Sequence, residues 1–330
     1  MAFVLGIILL ILKLVLVLVG LFLGAGWLTY GERRLLGWFQ IRLGPNRAGP
    51  WGLLQPMADI IKLLTKEDLV PQGADRWIFL YAPAVVAATA LLIFAVVPFG
   101  DTWTIFGRRF PLVITDLNVG LLFVIALSSI SVYGVALGGW ASNSKFSLLG
   151  GVRGAAQMIS YELSMGLALV PVVMLAGSFS LVDIVQAQAR VPFILWQPVG
   201  FLIFFISAVA ESKRIPFDLP EAENELVAGY HTEYSGMRFG LYFLGEYVTM
   251  VVLGALVAVF FLGGWRGPVL PSIVWFAAKV GIIVFVQVWL RATFPRLRYD
   301  QLMHLGWKVL VPAALLNIVA TGALVLVFKG

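Results

Sequence analysis

Eight apolar stretches, at roughly 3–28, 77–99, 118–140, 157–177, 196–214, 237–263, 269–292 and 308–328, leave this chain one class of fold. A helix needs about 20 apolar residues, at 1.5 Å rise each, to cross the hydrocarbon layer of a membrane. Backbone N–H and C=O groups find no partners in lipid, so each span must close its hydrogen bonds internally as a helix. The expectation is an all-α, polytopic integral membrane protein of about eight transmembrane helices, one membrane domain over 1–330. Apolar residues make up 61% of the 330 and charged residues 12%, so no segment is left for a separate soluble domain. The first stretch lacks a basic segment before it and is too long for a signal peptide; its length implies a tilted span.

Lys and Arg set the orientation of such a bundle. The odd-numbered connections and their flanks carry sixteen of them, the even connections and the termini five: Arg108, Arg109, Arg190, Arg266 and Lys329. The odd connections, 31–76, 141–156, 215–236 and 293–307, are therefore expected in the cytoplasm and both termini outside. The net charge of +6 reads as orientation and lipid-surface charge, with no nucleic-acid partner implied.

Several chemistries are excluded. There is no cysteine, hence no iron–sulfur cluster or disulfide, and His231 and His304 are the only histidines, so no single span holds the pair that a bis-histidine haem or histidine metal site within it needs. No phosphate-cradling glycine loop or dinucleotide fingerprint occurs. Any electrons must come from another chain, and no prosthetic group of its own is expected.

Against this background the stretch 211–247 stands out, with Glu211, Asp218, Glu221, Glu223, Glu225, Glu233 and Glu246 among the seventeen carboxylates of the chain. Acids are costly in lipid and contribute little to orientation, so they mark function by default. The plainer reading is capping. Pro220 suits a first helical position, and carboxylates in a first turn meet the helix dipole. It does not explain Glu221 and Glu225, expected on one helical face where like charges repel, nor Glu211 and Glu246 inside apolar runs. A proton-handling row is the better reading, and Glu162, near the same end of the fourth span, extends it. Lys13 and Lys279 fall near mid-membrane, where the plain reading is a salt bridge or snorkelling; for Lys13 that and a functional role stand as equal readings.

Connection 31–76 passes through the turn formers Gly44-Pro45-Asn46-Arg47-Ala48-Gly49-Pro50. Then Leu53, Leu54, Met57, Ile60, Ile61 and Leu64 recur at helical spacing, with Asp59 and Lys62 beside the stripe. This predicts an amphipathic helix in the interface plane or docked on a partner. Connection 100–117 has a Gly107-centred turn compatible with a hairpin, and connection 178–195 has room for a short interfacial helix. In the last connection, Arg291, Arg296 and Arg298 could anchor the chain at the membrane surface and balance Glu221 and Glu225.

Four blocks carry a family resemblance: GERRLLGWFQIRLGPNRAGPWGLLQPMADIIKLLTKED (31–68), RGAAQMISYELSMGL (153–167), AESKRIPFDLPEAENELVAGYHTEYSGMRFGLYFLGEY (210–247) and RATFPRLRYDQLMHLGWK (291–308). Together they resemble the H-subunit family of NADH:quinone oxidoreductase, respiratory complex I, over nearly the whole chain. The resemblance implies the membrane side of a quinone chamber, with ubiquinone or menaquinone as substrate. Its partners would be the hydrophilic subunits, including the one with the last iron–sulfur cluster, the small and antiporter-like membrane subunits, and lipid. It implies that Glu32, Arg33, Arg34, Asp59, Lys62, Arg214, Phe217, Asp218 and Glu223 line the quinone passage. Glu162, Glu211, Glu221, Glu223, Glu225, Glu233 and Glu246 would carry or sense protons, and the compartment would be a bacterial plasma membrane or the mitochondrial inner membrane. Other readings are the equivalent membrane protein of a hydrogenase-type complex, a secondary ion transporter or a structural anchor, of which the last leaves the acids unexplained.

Overall fold

The computed structural model describes the backbone of residues 2–105 and 108–329, and the side chains within them except at 2–9, 103–110, 223–224 and 328–329. Among the described residues, seven helices are long and apolar enough to cross a membrane. They are carried by Ala2–Phe39 (α1), Arg76–Ile93 (α3), Gly120–Ala141 (α4), Lys145–Ala176 (α5), Gly236–Phe261 (α10), Ser272–Thr293 (α11) and a last run ending in Val311–Lys329 (α13). Gln55–Thr65 (α2) is the amphipathic helix of the first connection, apolar on one stripe with Asp59 and Lys62 off it. The second connection holds a two-stranded hairpin, Thr102–Ile105 (β1) against Arg108–Pro111 (β2), the one departure from an all-α fold among the described residues; Gly107 itself lies outside them. Short helices Leu181–Ala187 (α6) and Phe193–Trp196 (α7) occupy the fourth connection.

Three expectations on length change. The fifth span is Pro198–Glu211 (α8), only 14 residues and so roughly 21 Å long. It starts short because Gln197 breaks the helix, and that break is stabilised from α13, where Asn317 Nδ2 donates to Gln197 Oε1 and Gln197 Nε2 donates to Thr321 Oγ1, both at 2.8 Å. Irregular backbone is tolerated at membrane depth when protein groups cover it in this way. At the other extreme, α1 runs on to Phe39, so Glu32, Arg33 and Arg34 sit on a helix and not in a loop. The last helix likewise begins early, as Tyr299–His304 (α12) followed by a π-turn at Leu305–Leu310 before α13.

The core lies around α10, whose apolar span is 72% buried, against 11% for α1 at the rim. Lipid tails are as apolar as leucine, so helices here associate through close packing and not through hydrophobic transfer. The α4–α5 crossing shows it: a Cβ on Gly139 would stand 3.0 Å from the Gly151 Cα, and one on Gly151 would stand 3.2 Å from the Ala136 carbonyl oxygen. Only glycine lets the two backbones approach so closely.

Hydrogen bonds sort the connections into two ends. At one end Asp75 N donates to Ala141 O (3.1 Å), Ser235 Oγ to Glu67 O (2.9 Å) and Leu297 N to Pro216 O (3.1 Å), joining the odd connections. At the other, Leu121 N donates to Phe179 O (3.0 Å), Asp101 N to Ser272 Oγ (3.2 Å) and Gly263 N to Gln188 Oε1 (2.9 Å), joining the even ones. Lys13 and Lys279 belong to this second group: Lys13 donates to the carbonyls of Pro111 and Val113, and Lys279 to those of Leu262, Gly264 and Arg266. Both snorkel out of their helices to fasten an even-end loop.

Candidate functional site

At the odd end, α8 stops at Glu211 and the chain turns inward. Lys213 adopts a left-handed conformation (φ 55°), the usual device for ending a helix, although outside glycine it costs about 1–2 kcal/mol. The turn aims Arg214 into the protein, where it is 4% exposed. Its Nη1 donates to Glu32 Oε1 of α1 at 2.5 Å, and its Nε lies 2.8 Å from Glu246 Oε1 of α10 without hydrogen-bond alignment. Its guanidinium stacks 4.4 Å from the Tyr247 ring centre, while Arg291 of α11 donates to the same Glu32 oxygen. Burial would weaken the charge on Arg214, yet Glu246 and Glu32 outweigh it and hold the group charged. Four segments far apart in sequence thus meet in one ionic junction.

The junction opens on a cavity of about 250 Å³, whose lining includes Glu32, Arg33, Glu221, His231, Glu246 and Arg291 among aromatic neighbours Tyr230, Tyr242 and Tyr247. Glu221 accepts from Tyr230 Oη at 3.4 Å and lies 3.5 Å from His231 Nε2. Burial pushes its carboxyl up, but the His231 hydrogen bond and the His231, Lys213 and Arg214 charges outweigh that and hold it below the usual range. Lys213 Nζ in turn stands 3.4 Å from Tyr230 Oη. Further in, Glu211 is 4% exposed with Oε2 unpartnered, and Glu162 of α5 accepts from Ser128 and Ser129, both at 2.7 Å. Both carboxyls thus lie within the bundle, on α8 and α5. Buried atoms at Glu32 Oε2, Asp218 Oδ1 and His231 Nδ1 have no hydrogen-bond partner among the described residues, and each such atom calls for an explanation.

Other expected residues take different places. Asp59 pairs with Arg33 at 2.7 Å and lies 3.9 Å from Lys62, which ties α2 to α1 beside the cavity. Arg34 faces Tyr30 and the Trp51 carbonyl, both at 2.9 Å, and braces the irregular turn before α2. Phe217 is core, 5.4 Å from Tyr161 between ring centres, and does not line the cavity. Glu233 is half-buried with no ion pair among the described residues, and the side chain of Glu223 lies outside them.

Three expectations need correction. Glu221 and Glu225 do not share a helical face, because the helix there, Glu223–Leu226 (α9), is one turn long and begins after Ala222. Its N-cap position is Ala222, with no side-chain cap, so Glu221 lies before the helix and not in its first turn. The arginines of the last connection do not balance Glu221 and Glu225 directly: Arg291 meets Glu32, Arg296 meets Asp218 at 2.7 Å, and Arg298 meets its own neighbour Asp300 at 2.9 Å. Glu225 is instead matched by Arg153 at 2.6 Å. Asp218 is the perturbed acid of this group: burial and the Glu221 charge push it up to about 6 despite Arg296. No motif in the sequence marks His231, Tyr230, Lys213 or Tyr247; their one signal is position within the acidic stretch 211–247.

Comparison with known proteins adds a family. A family model described as NADH dehydrogenase matches residues 12–322. The second H subunit of NADH-quinone oxidoreductase in Syntrophobacter fumaroxidans is 69% identical over 321 residues, 97% of each chain. Its namesake in Geobacter sulfurreducens is 68% identical over 298 residues, covering 90% of this chain and 91% of its own. The H subunit of the Thermomicrobium roseum enzyme is 55% identical over 317 residues, 93% of each.

Proposed function

Since the chain belongs to the NADH dehydrogenase family, as a membrane subunit of NADH-quinone oxidoreductase, we propose that its odd end forms the membrane side of a quinone chamber and couples quinone reduction to proton movement. The observation that carries this reading is the ionic junction of Glu32, Arg214, Glu246 and Arg291, open to a cavity, and on this reading Glu211 and Glu162 extend it into the bundle.

Reducing a quinone takes two electrons and two protons and places negative charge on its oxygens before the protons arrive. The electrons come from a partner chain, the one with the last iron–sulfur cluster. Protons are supplied from groups of adjustable affinity, and buried carboxyls beside arginines are such groups. In this chain His231 and Tyr230 hold Glu221 at the cavity, and Lys213 stands between that pair and Glu211. A charge change in the chamber alters the balance around Arg214, and through it the proton affinity of Glu246 and Glu211. Arg33, Asp59 and Lys62, where α2 meets α1, suit the entrance from the lipid, an apolar surface with few placed polar groups. This end is read as cytoplasmic, in a bacterial plasma membrane, with the hydrophilic subunits docked on it and the antiporter-like subunits beside the bundle. The relatives' names favour the quinone enzyme over a hydrogenase-type complex or a transporter.

The test replaces Glu211, Glu223 and Glu225 singly by Gln, which keeps shape and removes the titratable proton, with Glu67→Gln as control. NADH:quinone turnover and proton uptake are measured in membranes, normalised to assembled complex through an artificial electron acceptor. Each variant should lose turnover or pumping while the complex persists. Unchanged values in all three would refute the coupling role. A photoreactive quinone should label 31–66 or 211–238 and leave the even connections unlabelled.

A further inference from the structure

The even end carries a second cavity, about 720 Å³, far from the carboxylate junction. Its wall includes Arg190, Arg266, Lys279, Trp265, Trp275 and Leu270. Arginine is scarce at this end: only five Lys or Arg fall in the even connections and termini, yet two of them converge on this one cavity. Neither Arg190 nor Arg266 has an ion pair or a side-chain hydrogen bond among the described residues. Lys279 adds a third cation, with its ammonium directed at the carbonyls of Leu262 (2.6 Å), Gly264 (2.9 Å) and Arg266 (2.7 Å). The acid in the lining, Asp101, accepts from Thr102 N at 2.7 Å.

The loop that presents Arg266 is held from both sides. Lys279 grips its carbonyls from α11, and the buried Gln188 accepts from Gly263 N at 2.9 Å while donating to Val259 O at 2.7 Å. Gly263 (φ 72°) and Gly264 (φ 53°) adopt the left-handed conformation that this sharp reversal after α10 requires. A fixed loop, two unpaired guanidiniums and a concave wall make a site prepared for an anion whose geometry suits a planar donor fork.

We propose that this cavity binds the phosphate of an anionic phospholipid, with Arg190 and Arg266 on the phosphate oxygens and the acyl chains leaving over Leu270. The membrane source is favoured over soluble phosphate by position. The cavity lies where α10 ends and α11 begins, its wall carries two tryptophans, and Val269 and Leu270 beside it are exposed apolar residues that suit a lipid boundary.

The experiment uses the intact complex purified in mild detergent, with bound phospholipids counted by native mass spectrometry after stepwise delipidation. The Arg190→Gln/Arg266→Gln double variant is compared with Lys66→Gln/Lys145→Gln, which removes equal charge at the odd end. Retention of one anionic phospholipid should fall about tenfold or more in the first and stay unchanged in the second. An Arg190→Lys/Arg266→Lys variant, keeping charge without the fork, should retain an intermediate amount, which separates lost binding from failed folding. Equal retention in all variants overturns the proposal. So does displacement of the lipid by millimolar inorganic phosphate with no loss of complex stability, since the site would then be one for soluble anions.

Discussion

Asp218 and Glu221 lie three positions apart and are tuned in opposite directions, which gives each its own pH signature. The native state raises the Asp218 carboxyl from 3.8 to about 6, so its contribution to stability is complete below its ordinary value and is lost as pH rises through about 6. Glu221 is lowered, so its contribution is present above its ordinary value of 4.5 and is lost only as pH falls below that. Between pH 4.5 and 7 only the Asp218 contribution changes. Asp218→Asn, which cannot ionise, should therefore flatten the fall in stability across that window, by on the order of 2–3 kcal/mol at most. Thermal denaturation of the complex at a series of pH values would show it; an unchanged profile would mean that Asp218 is ionised throughout.

Among the elements, α4 and α5 depend on contact between backbones. Gly139→Ala would force a methyl against the Gly151 Cα and should cost about 1–3 kcal/mol, seen as less assembled complex in membranes at equal synthesis. Gly166→Ala, where no atom lies within 4 Å of the added carbon, should be neutral. The helices themselves were legible because lipid leaves the backbone no alternative, and α2 was legible through the spacing of its apolar stripe. Their ends were less so. Hydropathy falls at Glu32 although the helix continues past it, since Glu32 is paired inside the protein, and it is low at Tyr299, where the helix starts in an exposed, charged turn. The break at Gln197 was hidden because α13, more than a hundred residues away, supplies the groups that stabilise it. The site shows the same limit. Composition marked the acids, but no local pattern pairs Glu32 with Arg214, or sends Arg153 rather than Arg296 to Glu225.

At the scale of the whole molecule, the two ends differ in charge and in contents: the carboxylate junction lies at one, the arginine-lined cavity at the other. The chain has no cysteine, so single replacements report sidedness without background. Lys145→Cys should react with an impermeant maleimide only from the cytoplasmic face of membrane vesicles, and Val269→Cys only from the opposite face. Labelling of both from one side would contradict the orientation read from the Lys and Arg distribution. The junction also has a history in time. Glu32 leaves the ribosome early, while Arg214 and Arg291 follow 182 and 259 residues later. At about 5–20 residues per second the longer interval is roughly 13–50 s, during which a carboxylate destined to be 1% exposed lacks at least one of its partners. The junction of the first helix therefore cannot be completed until α11 is made. Biogenesis of this protein therefore finishes where it began, with the final third of the chain locking the first helix into place.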